Sequence, residues 1–370
     1  MGFWTEINKK VDELEGKTSF EPVFNKSKNG AHIYDDKKIC PGYRFFEGKL
    51  ITVDGTIVKD FQHGHLGVFS KEYFAGQKGY EVGPWSVVDT KGKTLFRKFQ
   101  PIHHECFFYN NLIITFDKEV QTYRGRQVDF DIVVAIGLDG LEKWRWSTWD
   151  NLQELKKHHR MMELDIPFIP ISRKKKSPWG GEVDYYRINS LQFLPKTKLG
   201  KTDKRFAEGN WLLTLRHGSL LLILDKNTKK VVWKLSQKDI LGEIQGPHGA
   251  QLLDNGNILV LDNGRYRGWS RAIEFNPLTK EIMWEYKAED FFTNSQGYVQ
   301  RLPNGNTLIT QAEKGRAFEV TRDCEIVWEY YYPQKQTKEN SPEYKESWGS
   351  RKWMYRMIWY AKDDVTPFLD

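Results

Sequence analysis

No stretch of this 370-residue chain approaches the roughly 18 consecutive apolar residues of a membrane-crossing helix. Residues Met1–Lys17 are too polar for a secretory leader, so the expectation is a cytoplasmic protein with no membrane span, or an exported one if a leader has been removed. Cysteine is scarce. Cys40, Cys106 and Cys324 cannot build a disulfide framework, and none sits in a CxxC pair. Apart from His63-x-His65 the histidines lack the short spacings of a metal site, so no metal is expected. Also missing are a GxSxG nucleophile elbow and a phosphate-cradling glycine loop, and no cofactor is called for. The excess of positive charge is small, +7 from 56 basic and 49 acidic residues. That balance suits an anionic ligand and gives no reason to expect nucleic acid.

What the chain has in excess is aromatic residues, 14% of the total with 14 tryptophans, alongside 30 glycines. Few long helical patterns accompany them, which points to an all-β protein. One unit recurs, two strands around a polar turn, ending in Trp or Phe. It reads LITVDGTIVKDF (Leu50–Phe61), WSVVDTKGKTLF (Trp85–Phe96), IVVAIGLDGLEKW (Ile132–Trp144), LLILDKNTKKVVW (Leu221–Trp233), AIEFNPLTKEIMW (Ala272–Trp284) and AFEVTRDCEIVW (Ala317–Trp328). A second hairpin precedes several copies, as in AQLLDNGNILVL (Ala250–Leu261) and VQRLPNGNTLIT (Val299–Thr310), where Asn-Gly marks the turn. One full unit is therefore four strands.

The terminal aromatics Phe61, Phe96, Trp144, Trp233, Trp284 and Trp328 are 35, 48, 89, 51 and 44 residues apart. Units of that length predict a six-bladed β-propeller of four-stranded blades. The long gap holds an insertion at about 150–184, read as a helix (NLQELKKHHRMMEL) and a loop, and a lengthened turn near Lys196–Glu208. The predicted layout is an N-terminal extension at 1–40, the propeller at 41–333 and a C-terminal extension at 334–370 packing on it. Residues Trp4–Leu14 suggest a short amphipathic helix. Trp353–Tyr360 is suited to cover a blade or supply a closing strand.

In a propeller the starts of the innermost strands meet near the axis. Counting back from the inner hairpin turns puts His248, Asn189, Gly297 and His104 at one structural phase, with Arg187, Ser295, Gln296 and His103 beside them. Arg216 ends an antiparallel second strand and returns to the same end. Several imidazoles with a guanidinium suit an anion. A single histidine before a strand is more often a surface or turn residue, so the argument rests on the recurring phase. His158 and His159 read as an exposed helix face.

The strings IHHECFF, DYYRINSLQFLP, LLTLRHGSLLLILD, GPHGAQLLDNGNILVLDNG and SQGYVQRLPNGNTLI, in this order over roughly 41–333, resemble the arylsulfotransferase family of six-bladed propellers. These enzymes use an aryl sulfate donor and not PAPS. The resemblance implies that His248 is transiently sulfated, and that His104 (or His103), Asn189 and Arg216 bind or polarise the sulfuryl group. The resemblance also implies a hydroxyl residue near the mouth, for which Thr293, Ser295 and Thr310 are the alternatives. Where the family reads D-x-x-H-x-N, this chain has Asp184-Tyr185-Tyr186-Arg187-Ile188-Asn189. Arginine binds sulfate but is a poor general acid or base.

The expected function is sulfuryl transfer between a small-molecule aryl sulfate and a phenolic or other hydroxyl acceptor. The alternative is a propeller with altered chemistry that binds an anion, ligand or protein. A quinoprotein-like dehydrogenase ranks below both, since those propellers use more blades and a metal-plus-quinone site.

Overall fold

A computed structural model describes residues 28–61, 66–77, 83–158, 169–170, 177–333 and 353–369. They form a six-bladed β-propeller of antiparallel sheets with few helices. The expected helix at Trp4–Leu14, and His63, His65 and His159, lie outside the described residues. The first blade contains Tyr43–Phe46, Lys49–Ile51 and Ile57–Asp60. Its innermost strand is Ile358–Tyr360, so the C-terminal segment closes the ring. The second blade runs from Val68 to Lys98, the third starts with His103–Tyr109 and the fourth with Ile188–Phe193. The fifth starts with His248–Leu252 and the sixth with Tyr298–Arg301. The chain also enters the last blade from its N-terminal side: Gly30–Ile33 adds a fifth, edge strand beside Ile326–Tyr331. Part of the stretch read as an extension is thus sheet.

The inner hairpins follow directly from their turn residues. In Asn255-Gly256-Asn257 the glycine has φ +87°, a conformation that a Cβ disfavours, and Asn255 Oδ1 accepts the Asn257 N–H. Asn304-Gly305-Asn306 repeats this with φ +91° and the same side-chain bond.

Blades are covered on both faces, which is why their central strands read as unbroken apolar runs. Leu220–Leu224 (LLLIL) is buried at every position. Alternate side chains then serve opposite seams. Leu213 and Leu215 pack with Ile114 and Phe116 of the third blade, whereas Leu212 packs with Leu252 and Val260 of the fifth. Each of the six seams has its own apolar cluster.

The tryptophan excess has a specific use at three seams. The indole N–H of Trp233 donates to Pro277 O at 2.9 Å, that of Trp284 to Arg322 O at 2.9 Å and that of Trp328 to Val53 O at 2.7 Å. In each case the outer strand of one blade reaches the outer turn of the next. At the closing seam Arg44 pairs with Glu319 at 2.8 Å, both fully buried, and Glu319 also accepts the Cys40 N–H. The Arg44 guanidinium lies over the Trp328 ring.

The third blade departs from the regular plan. Its strands Leu112–Tyr123 and Arg126–Gly137 are twelve residues each and pair along their whole length, past the ends of neighbouring blades. Val183–Asp184 then lies parallel to Val128–Asp129, so the returning insertion runs beside this hairpin. Of the insertion's expected helix, Leu152–Lys156 is described and helical.

Candidate functional site

The innermost strands of three blades are irregular near their starts. His103 pairs with Phe116 and Cys106 with Thr115, so His104 and Glu105 are extruded from the ladder. Asn189 is extruded between Ile188 and Ser190, and the pairing shifts again between His248 and Gln251. Such bulges re-aim side chains and gather near binding sites. Left-handed backbone accompanies them: φ is +56° at His104, +52° at Arg187, +64° at Gly249 and +59° at Gln296. A non-glycine residue there is strained by about 1–3 kcal/mol, held by its surroundings.

His248 is fully enclosed, and its tautomer is set by its partners. Nδ1 lies 2.7 Å from Asn263 Oδ1 and 3.1 Å from Gly246 O. The Asn263 amide nitrogen donates to Thr293 O and Gln296 O at 2.8 and 2.9 Å, so its oxygen is the atom that faces the ring. Both partners of Nδ1 are therefore acceptors, and Nδ1 carries the proton. Nε2 keeps its lone pair and receives no hydrogen bond from the protein. Burial, then the charge of Arg216, push the imidazole down to about 3, with Arg187 adding to the effect, so the ring is neutral near pH 7.

The remaining sequence candidates fall around it. Asn189 donates its amide to Pro247 O at 2.7 Å, next to His248, and its buried Oδ1 accepts no hydrogen bond. The Arg216 N–H donates to Arg187 O at 3.1 Å, and the Arg216 stem passes beside Gly246. Arg187 Nη1 holds Asp184 Oδ2 at 2.8 Å. His104 is buried and held far below the ordinary imidazole range by desolvation, with the charges of Arg187, His103 and His248 adding to it. Its Nδ1 lies 2.7 Å from Nδ1 of His103, and Tyr355 Oη donates to its carbonyl. His103 is likewise held far down, by burial and then by Lys118.

The hydroxyl candidates are placed differently. Thr310 Oγ1 accepts the Met357 N–H at 2.9 Å and so supports the closing segment. Thr293 Oγ1 donates to Ser295 O. The Ser295 N–H, with that of Asn294, donates to the Glu313 carboxylate at 3.1 and 3.0 Å.

Several groups escaped the sequence reading. Asn263 follows directly on the second strand of its blade, as Arg216 does, and that phase was the available signal. Glu313, enclosed and pushed up to about 7 by burial, also holds the 293–296 turn, through the Asn294 and Ser295 N–H groups. Beside His103 lies a buried charged group from the long hairpin and the strand paired with it: Lys118 pairs with Asp184 at 2.6 Å, and Asp129 and Asp131 lie within electrostatic reach. No local motif marks these residues, because an unannounced strand extension brings them together. Among the described residues, no three His, Cys, Asp or Glu side chains gather as metal ligands, and no helix is long and apolar enough to cross a membrane.

A family model described as arylsulfotransferase (ASST) matches residues 142–333. That stretch includes Asp184–Asn189, Arg216 and His248, and leaves out His103 and His104. No curated protein matches the chain. Among solved structures, a Bacteroides caccae protein of unknown function is similar at 13% identity over 86% of this chain and 98% of its own, with a TM-score of 0.47. The β-propeller domain of Myceliophteria thermophila Cps50 (Swd1) is similar at 11% identity over 84% and 89%, with a TM-score of 0.43. Virginiamycin B lyase from Staphylococcus aureus is similar at 10% identity over 84% and 90%, with a TM-score of 0.43.

Proposed function

Because the chain belongs to the arylsulfotransferase family, we propose that it moves a sulfuryl group from an aryl sulfate to a phenolic or other hydroxyl acceptor through a sulfated His248. The observation that carries this reading is the state of His248. Its Nδ1–H is held by Asn263 and Gly246, and Nε2 is neutral, buried and unoccupied by any protein donor.

In the first step the Nε2 lone pair attacks sulfur. The S–O bond to the aryl group breaks, and its electron pair leaves on the phenolate. Attachment of sulfur makes the ring cationic, and the Nδ1–H bonds to Asn263 and Gly246 strengthen as that charge develops. The sulfuryl oxygens carry negative charge in flight, and fixed donors stabilise it without reorganising. Arg216 and the Asn189 amide group lie beside His248 for this role, and Arg187 adds positive charge that captures the anionic donor. In the second step the acceptor oxygen attacks sulfur, the N–S bond breaks and Nε2 recovers its lone pair. Ping-pong kinetics follow.

Assay with p-nitrophenyl sulfate and a phenol tests the proposal. His248→Ala is expected to abolish transfer, and full activity in that variant would end the assignment.

One observation favours a second reading, an anion- or ligand-binding propeller without turnover: Arg187 stands where the family has histidine and is paired with Asp184. Tight aryl sulfate binding with no phenol release would support it.

A further inference from the structure

This inference rests on the sulfuryl-transfer reading and concerns the proton. A phenolate that leaves must be protonated, and an acceptor hydroxyl must lose its proton. Arg187, in the family's histidine position, does neither near neutral pH. We propose that Asp131, acting through His103 and His104, stores the proton that the departing phenolate takes up and the acceptor hydroxyl gives back.

The geometry forms one line. Asp131 Oδ1 lies 3.5 Å from His103 Nε2, which also faces Asp117 O at 3.3 Å, and His103 Nδ1 lies 2.7 Å from His104 Nδ1. Asp131 Oδ2 accepts the Ile188 N–H at 3.1 Å, while Oδ1 is buried, accepts no hydrogen bond and has the His103 ring at ion-pair distance. The His104 ring, with Nδ1 engaged by His103, lies within electrostatic reach of His248 and Arg187.

Two proton arrangements serve the contacts along this line, the second giving up the His103 Nε2–H bond to Asp117 O. With Asp131 ionised, His103 carries its proton on Nε2, His104 carries its proton on Nδ1, and His104 Nε2 is a free base. When an acceptor hydroxyl gives its proton to His104 Nε2, the Nδ1 proton of His104 passes to His103 Nδ1. The Nε2 proton of His103 then passes to Asp131. The result is a neutral carboxylic acid and two neutral imidazoles, with Nε2–H of His104 ready to protonate the next phenolate. No imidazolium persists in either resting arrangement, consistent with both rings being held far below their ordinary range.

The carboxyl suits the storage role. Burial pushes Asp131 up to about 7, and Asp184 adds to this, while Lys118, the Ile188 N–H and Arg187 oppose it. Asp129 and His103 are its other polar neighbours on the same hairpin and blade. Asp131 and His103 touch no substrate in this scheme. They are positioning and relay residues, and His104 is the catalytic acid and base.

The test compares two donors, phenyl sulfate and p-nitrophenyl sulfate, in the full chain and its Asp131→Asn variant. Asparagine still accepts the Ile188 N–H but stores no proton. Nitrophenolate leaves without protonation, whereas phenolate needs it. The expected result is a loss of about 10²-fold or more in kcat/KM for phenyl sulfate, in the range of general-acid effects, and under about tenfold for the nitrophenyl donor. Equal losses for both donors, or no loss for either, would overturn the relay. The wild type supplies a second measurement if the variant fails to fold. Its kcat/KM for phenyl sulfate should fall as pH rises through about 7, with no such fall for the nitrophenyl donor. Matching profiles would overturn the relay. A wild type inert toward both donors would overturn the sulfuryl-transfer reading itself, and this inference with it.

Discussion

Asn263 accepts the Nδ1 proton of His248 across 2.7 Å while its own amide protons go to Thr293 O and Gln296 O. The carboxamide cannot flip without placing its NH2 group against Nδ1–H and losing two backbone acceptors. This contact decides which imidazole nitrogen is nucleophilic.

Replacing Asn263 by leucine should therefore damage turnover more than binding. Without its acceptor the ring samples the wrong tautomer, and the cationic sulfated imidazole loses a stabilising contact. Loss of tautomer control at a catalytic histidine costs up to about 10⁴-fold in kcat. We expect at least about 10²-fold here on the same grounds, because Gly246 O still holds Nδ1–H. Steady-state kinetics with p-nitrophenyl sulfate would reveal it, and an unchanged kcat would refute the role.

Arg187→Met should weaken capture of the donor. Lys118 remains to neutralise Asp184, so the fold should tolerate the change. An increase in KM of about tenfold, equivalent to 1.4 kcal/mol, with a smaller drop in kcat is expected. A large loss of kcat at constant KM would mean that Arg187 acts chiefly in the transition state.

Glu313 makes stability depend on pH. Its carboxyl is pushed from 4.5 up to about 7 by burial. Between those values the folded chain keeps a proton that the unfolded chain has released, so this residue's contribution to stability falls as pH rises. In Glu313→Gln that fall is absent. The wild type should lose about 3 kcal/mol relative to the variant across this window, at 1.4 per pKa unit. Urea denaturation at several pH values reads the difference directly, and a pH-independent difference would contradict it.

Ring closure depends on a fully buried ion pair. Glu319→Ala would strand the Arg44 guanidinium and should destabilise the protein by about 3–5 kcal/mol. The paired change Arg44→Met with Glu319→Leu should recover part of that loss, since no buried charge is left unpaired, while the Cys40 N–H and the Asn306 amide still lose their acceptor. The denaturation midpoints of the three proteins settle the point. No recovery in the double variant would place the cost in packing.

The propeller was legible because each blade repeats the same physics. Asn-Gly turns, apolar runs at strands covered on both faces, and a terminal tryptophan recur at a steady interval. Closure was only half legible. WMYRMIWY is suited equally to a cover or a strand, and only pairing with Tyr43–Phe45 decides that Ile358–Tyr360 is the strand. The phase argument picked out residues 104, 189 and 248 because bulges recur where innermost strands begin. It missed Asp131 and Lys118, which lie mid-strand in a hairpin whose extra length no turn signal announces. It also ranked Thr310 by chemistry alone, and could not foresee that a residue 47 positions away would occupy its hydroxyl.

The most direct test of the account is mass spectrometry of the protein quenched after brief exposure to p-nitrophenyl sulfate without acceptor. We predict one added sulfuryl group, located by fragmentation on His248 and removed when a phenol is supplied. Release of p-nitrophenol with no label on His248, or a label on another residue, would contradict it.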